Sequence, residues 1–146
     1  MRISRKAEYA LRALVAMARC PKSWPIQELS RSENIPIKFL EQILLSLRHG
    51  GLLTSKRGVG GGYALLRPAA DVTVGEVIRI LDGPLAPVPC AAEGAVERCT
   101  CPDPRSCAVR LLMTEVRHDL SAILEGRSIA DMLQLTAGPE TIAFDI

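Results

Sequence analysis

Apolar residues recur at helical intervals through most of the chain, broken by one pair of short strand-like runs and by one stretch with no period. Ala7, Leu11, Leu14, Val15 and Ala18 share a face of a segment over residues 4–19, which Pro21 closes. After PKSWP, the run IQELSRSE turns Ile26 and Leu29 inward. The tripeptide NIP interrupts it. From residue 36 to 48, Phe39, Leu40, Ile43, Leu44 and Leu47 form a second stripe, and Pro36 suits a first helical position. Short helix, tight turn and longer helix in succession predict a helix-turn-helix.

Gly50-Gly51 stops that helix. Two β-prone runs follow, at residues 52–56 and 63–66, with Arg57 and Gly58, Gly60, Gly61 and Gly62 between them. A glycine-rich tip lets a hairpin turn tightly and its backbone approach a phosphate, so this hairpin reads as a wing. A further helix is expected over residues 74–81, capped by Thr73 and ended at Gly83-Pro84. The next twenty-odd residues carry Pro84, Pro87, Pro89, Pro102 and Pro104 and no period. The longest helix candidate, about residues 106–124, then places Val109, Leu112, Met113, Val116, Leu120, Ile123 and Leu124 at steps of three and four. Such a stripe needs a partner, and the expected one is the same helix of a second subunit in a homodimer. SIADMLQL reads as a short last helix and residues from 137 as a loose tail.

The expected fold is therefore mainly α with a small β-wing: a winged helix-turn-helix domain (1–83), a cysteine-rich loop (84–105), a dimerisation helix with a short helix (106–135) and a tail (136–146). A chain of 146 residues is long enough to bury a core without covalent staples. No apolar run reaches the roughly 18 residues of a membrane span, and the charged N-terminal segment is unlike a signal peptide, which points to a cytoplasmic protein with no membrane partner.

Charge divides the chain. Residues 1–70 hold 12 Lys+Arg and 4 Asp+Glu, a net +8, while residues 71–146 hold 6 and 12, a net −6, consistent with the overall +2. A basic half points to a polyanion, here double-stranded DNA. The candidate contacts are Ile37, Lys38, Gln42 and Ser46 on the recognition helix, Lys56, Arg57 and Tyr63 on the wing, and Arg2, Arg5 and Lys6 at the N-terminus. All four on the helix face the major groove, where Lys38 and Gln42 have side chains suited to base edges, and the basic residues of the wing and the N-terminus suit phosphates. No nucleophile–base pair, carboxylate pair or nucleotide loop is present, so the chain does not read as an enzyme.

Four of the five cysteines, Cys90, Cys99, Cys101 and Cys107, lie in the aperiodic stretch CAAEGAVERCTCPDPRSC. A disulfide, a zinc site and thiolate ligation of an iron–sulfur cluster all suit such a cluster of thiols. The absence of C-x-x-C pairs weakens the zinc reading. Cys20, alone at the end of the first helix, reads as a partly buried small apolar residue.

KAEYALRALVAMA, NIPIKFLEQILLSLRHGGLLTSKRGVGGGYALLRP and VTVGEVIRILDGPLAP resemble the bacterial Rrf-two family of winged-helix regulators, with its IscR, NsrR, RirA and CymR types, over roughly residues 1–135. The resemblance implies a homodimer that binds operator DNA, and an iron–sulfur cluster, 2Fe–2S in preference to 4Fe–4S, that senses iron, redox state or nitric oxide. It implies Cys90, Cys101 and Cys107 as ligands, the last two matching the family's spacing, with Cys99 as an alternative or fourth. Where some members place a ligating histidine this chain has Arg110, which offers no lone pair. Glu8, contributed by the partner subunit as in other members, is the remaining candidate. The alternatives are a zinc-braced or metal-free thiol-redox regulator and a winged helix that binds protein.

Overall fold

A computed structural model describes residues 2–95 and 100–137. Cys99 and the tail from residue 138 lie outside the described residues. Within them the helices are α1 (Arg5–Arg19), α2 (Ile26–Glu33), α3 (Ile37–His49), α4 (Val74–Asp82), α5 (Ala108–Glu125) and α6 (Ile129–Leu135), and the strands are β1 (Leu53–Lys56) and β2 (Gly62–Leu65). The architecture is the expected one, mainly α with a two-stranded wing.

Helix α1 is the centre. Its Ala7, Ala10, Ala13 and Ala16 are buried together with Leu11, Leu14 and Met17, and these small residues let α2, α3, α4 and α6 all pack against one rod. Ser4 caps it, accepting a hydrogen bond from the Ala7 N–H at 3.1 Å. The same serine is held from outside: its N–H donates to Asp82 Oδ2 at 3.0 Å and its hydroxyl to Asp82 Oδ1. The end of α4 is thus fastened to the start of α1.

Between α2 and α3 the chain turns at Asn34, in the left-handed region at φ 53°, and buries Ile35. Pro36 occupies the cap of α3 with an extended ψ of 129°, one position earlier than the sequence suggested, because its fixed φ fits a cap as well as a first helical residue. Leu40, Ile43, Leu44 and Leu47 are fully buried, as the stripe requires.

The wing pairs β1 and β2 antiparallel in the register Leu53↔Leu65 to Lys56↔Gly62. A separate bridge to β2 comes from the α1–α2 connection: the Trp24 N–H donates to the Tyr63 carbonyl at 2.7 Å and the Tyr63 N–H to the Trp24 carbonyl at 2.8 Å. Gly62 lies against this bridge at φ +149°, and a Cβ there would overlap the Trp24 carbonyl. That close approach, more than flexibility, accounts for the last glycine of the run.

Helix α6 is docked by a capping box of Ser128 and Asp131 and by a bridge from Thr73 to Ser128, which bury Ile129 completely. Helix α5 differs from all the others. It packs on α4 and on the turn at Pro89–Ala91, yet none of its residues is buried in the single chain. No helix of the described residues is long and apolar enough to cross a membrane.

Candidate functional site

Two groups of predicted residues can be located, a basic face on the winged helix and the thiols beside α5. On α3, Ile37, Lys38 and Gln42 are exposed and Ser46 is half-buried, and exposed Leu45 joins them. Lys56 and Arg57 are exposed at the wing tip, where Val59 projects fully into solvent. Tyr63 is half-buried and packs against the core, since its backbone pairs with both Ser55 and Trp24. Arg48, absent from the sequence-based set, donates from Nη1 to Ser55 Oγ at 2.9 Å and ties the end of α3 to β1.

Arg2, Arg5 and Lys6 are exposed at the start of α1. Arg5 pairs with Glu8 at 3.2 Å and lies 5.7 Å from the Tyr9 ring centre, and Tyr9 meets Phe39 of α3 edge-to-face at 5.7 Å. A run of contacts therefore connects the N-terminal basic residues to the recognition helix. Glu8 itself is exposed and lines an apolar groove of about 440 Å³ between α1 and α6, walled by Ile3, Leu11, Val15 and Met132.

Of the cysteines, Cys101 and Cys107 are brought together, their sulfurs 3.5 Å apart. This is too long for a disulfide bond, about 2.05 Å, and suits two donors converging on one centre. The segment between them is shaped by Asp103, whose carboxylate accepts from the Arg105 N–H at 3.1 Å and the Ser106 hydroxyl at 2.5 Å. The Ser106 hydroxyl first, then the Arg105 N–H, hold that carboxyl below the usual carboxylate range. Cys107 caps α5. The Arg110 backbone N–H above all, with the Cys101 thiol and the Arg110 charge, holds its thiol below the usual range.

Cys90 is held to α5 through its backbone. The Arg110 guanidinium donates from Nε to the Cys90 carbonyl at 3.3 Å and from Nη1 to the Pro104 carbonyl at 3.4 Å. Among the described residues no three His, Cys, Asp or Glu side chains lie close enough to share a metal, so Cys90 and Glu8 do not join the pair within one chain. Two adjacent thiols offer the soft donors that an iron–sulfur cluster takes, and the backbone of Cys90 is held to the same helix. Cys20, expected to be partly buried, is exposed: it forms the C-cap of α1, past the last buried turn, and its carbonyl accepts from the Trp24 indole N–H at 3.0 Å.

Pattern reading gives no sign of the structural contacts made by Asp82 and Arg48, and it weighs Arg110 only as a ligand. Arg110 carried one usable signal, its place three residues after Cys107 on the same helical face.

On α5 the seven predicted interface residues divide. Val109, Leu112, Val116 and Ile123 are exposed, while Met113, Leu120 and Leu124 are half-buried toward their own chain, Leu120 and Leu124 beside Ile78 of α4.

A family described as "Rrf2: Iron-dependent Transcriptional regulator" matches residues 3–135. An rrf2-like HTH-type transcriptional regulator of Rhodobacter capsulatus is 37% identical over 90% of this chain and 91% of its own. The regulator IscR of Cronobacter sakazakii is 30% identical over 91% of this chain and 80% of its own. Among solved structures, CymR, the global cysteine regulator of Bacillus subtilis, superposes with a TM-score of 0.75 at 28% identity, covering 92% of this chain and 98% of that one. T. potens IscR shares the fold, with a TM-score of 0.73 at 24% identity over 93% and 88% of the two chains. The chain belongs to the Rrf2 family, and is a DNA-binding winged-helix transcriptional regulator rather than an enzyme.

Proposed function

We propose that this chain acts in the cytoplasm as a homodimer whose affinity for double-stranded operator DNA is set by an iron–sulfur cluster, 2Fe–2S in preference to 4Fe–4S, responding to iron, redox state or nitric oxide. The observation that carries this reading is the Cys101–Cys107 sulfur pair at 3.5 Å, with the backbone of Cys90 held to the same helix. Cys90, Cys101 and Cys107 would hold the group, with Cys99 or Glu8 of the partner subunit as the fourth ligand. When bound, such a cluster supplies a centre whose charge and presence change with redox state and iron supply. The exposed apolar face of α5 joins the two subunits, and residues 1–83 bind the DNA. Ile37, Lys38, Gln42 and Ser46 enter the major groove, while Arg2, Arg5, Lys6, Lys56, Arg57 and Tyr63 hold the backbone.

Protein purified without oxygen should be brown and contain iron and acid-labile sulfide, and removal of the cluster should change operator affinity. Colourless protein that binds operator with the same affinity with and without added iron and sulfide would sink the reading. The same sulfur pair also favours a second reading, a metal-free thiol switch, in keeping with the likeness to a cysteine regulator. Under that reading, oxidation alone would close a Cys101–Cys107 disulfide and shift operator binding in iron-free protein.

A further inference from the structure

We propose that Arg110 is the positioning residue of the thiol site, its guanidinium clipping the Cys90 end of the loop onto the Cys101–Cys107 pair before any cluster is present. The guanidinium is a planar fork whose donors point in fixed directions. Here Nε takes the carbonyl of Cys90 and Nη1 that of Pro104, so one side chain fixes the relative position of two chain segments far apart in sequence. The helix aims the fork. Arg110 lies one turn into α5, three residues beyond Cys107.

A second arginine repeats the hold two turns later. Arg117 pairs with Glu93 at 3.2 Å, and the 3-10 turn at Pro89–Ala91 lies on α5 between these two grips. The front half of the loop is thereby laid along the helix whose N-terminus carries Cys107. A guanidinium has no lone pair and cannot ligate iron, so Arg110 acts through placement. The placement concerns the thiols themselves. Only its consequence for a cluster rests on the iron–sulfur reading.

The test uses the reduced, metal-free full chain and dibromobimane, which becomes fluorescent when it bridges two nearby thiols. Trypsin leaves Cys90, the Cys99/Cys101 pair and Cys107 on separate peptides, and fragmentation between Cys99 and Cys101 in tandem mass spectrometry identifies each bridge. In R110A, bridges from Cys90 to Cys101 or Cys107 should form roughly tenfold more slowly, the order of a lost charge-assisted hydrogen bond. Single alkylation of exposed Cys20 and the helical circular dichroism should not change. R110K keeps the charge and the stem but loses the fork, and should show most of the same loss; it also carries the test should R110A fail to fold. Bridging at the native rate in either variant overturns the proposal, since full rescue by lysine would mean that charge alone acts. In reconstituted protein, R110A should also release iron to a chelator several-fold faster. Fast bridging in the native chain that never takes up iron would sink the iron–sulfur reading and leave the positioning role standing.

Discussion

Replacing Ile123 with Asp tests whether the outer face of α5 is the seam between two subunits. Val109, Leu112, Val116 and Ile123 are 60%, 54%, 40% and 63% exposed, together about two whole side chains per protomer. Burying a whole aliphatic side chain contributes about 1.5–3 kcal/mol, so closing this seam in a dimer contributes ~6–12 kcal/mol. Association itself costs ~4–15 kcal/mol in lost freedom. The seam is therefore close to balance, and no residue in it is spare. I123D removes ~2–4 kcal/mol of apolar burial per dimer and places two carboxylates where water is excluded, at a further cost of at least ~1 kcal/mol each. At ~1.4 kcal/mol per tenfold, the dimer constant should weaken by roughly three decades. Sedimentation velocity over a dilution series reads this directly. Operator binding should fall with it, because two half-sites no longer arrive together. H118A, on the opposite side of the helix, is the control. An I123D chain that dimerises like the native one would refute the reasoning and leave the exposed stripe without an occupant.

Replacing Lys56 and Arg57 with Ala should weaken binding to every duplex about equally and make the salt slope shallower by about one per lost phosphate contact; a loss confined to one sequence would contradict a backbone role. In D82A the clamp on Ser4 is gone, so hydrogen exchange in the first turn of α1 should quicken while α3 stays protected; unchanged exchange would mean the cap alone holds that end. The Ser128 N–H and hydroxyl hold the Asp131 carboxyl below its usual value, so its contribution to stability is present above about pH 3.9 and is lost as pH falls through the depressed folded value; D131A should remove that acid-side loosening of α6 in hydrogen exchange. Changing Cys90, Cys101 or Cys107 to Ala should each abolish visible absorption while helical content and dimer persist. Bleaching by C99A but not by E8A would assign the fourth ligand to Cys99 and remove the inter-subunit link.

The sequence foretold the elements whose causes are local. The α3 stripe of Leu40, Ile43, Leu44 and Leu47 is fully buried, and Thr73 caps α4 by accepting from the Glu76 N–H at 3.1 Å. The long helix was expected from residue 106 and begins at Ala108. Ser106 is diverted to Asp103, whose carboxylate competes for the helix start, and Cys107 becomes the cap. Local competition of this kind moves a boundary by a turn or less without changing the fold.

What the sequence concealed are pairings between segments that periodicity treats as separate. Trp24 reads as a loop residue, yet its backbone bridges to the outer edge of β2, and that contact together with the positive φ of Gly62 explains why position 62 tolerates nothing larger than glycine. Arg110 reads only as a residue unable to ligate, because a side chain that bonds to carbonyls leaves no mark on the hydrophobic pattern. The stripe on α5 was visible, but periodicity gives a helix one apolar face and cannot apportion it. Packing of Leu124 against the core and of Leu120 beside α4 takes part of that face for the chain itself, and leaves Val109, Leu112, Val116 and Ile123 as the portion a second subunit can cover. A charge at Leu120 would therefore disturb the fold of each chain together with any interface, whereas one at Ile123 acts on the seam alone.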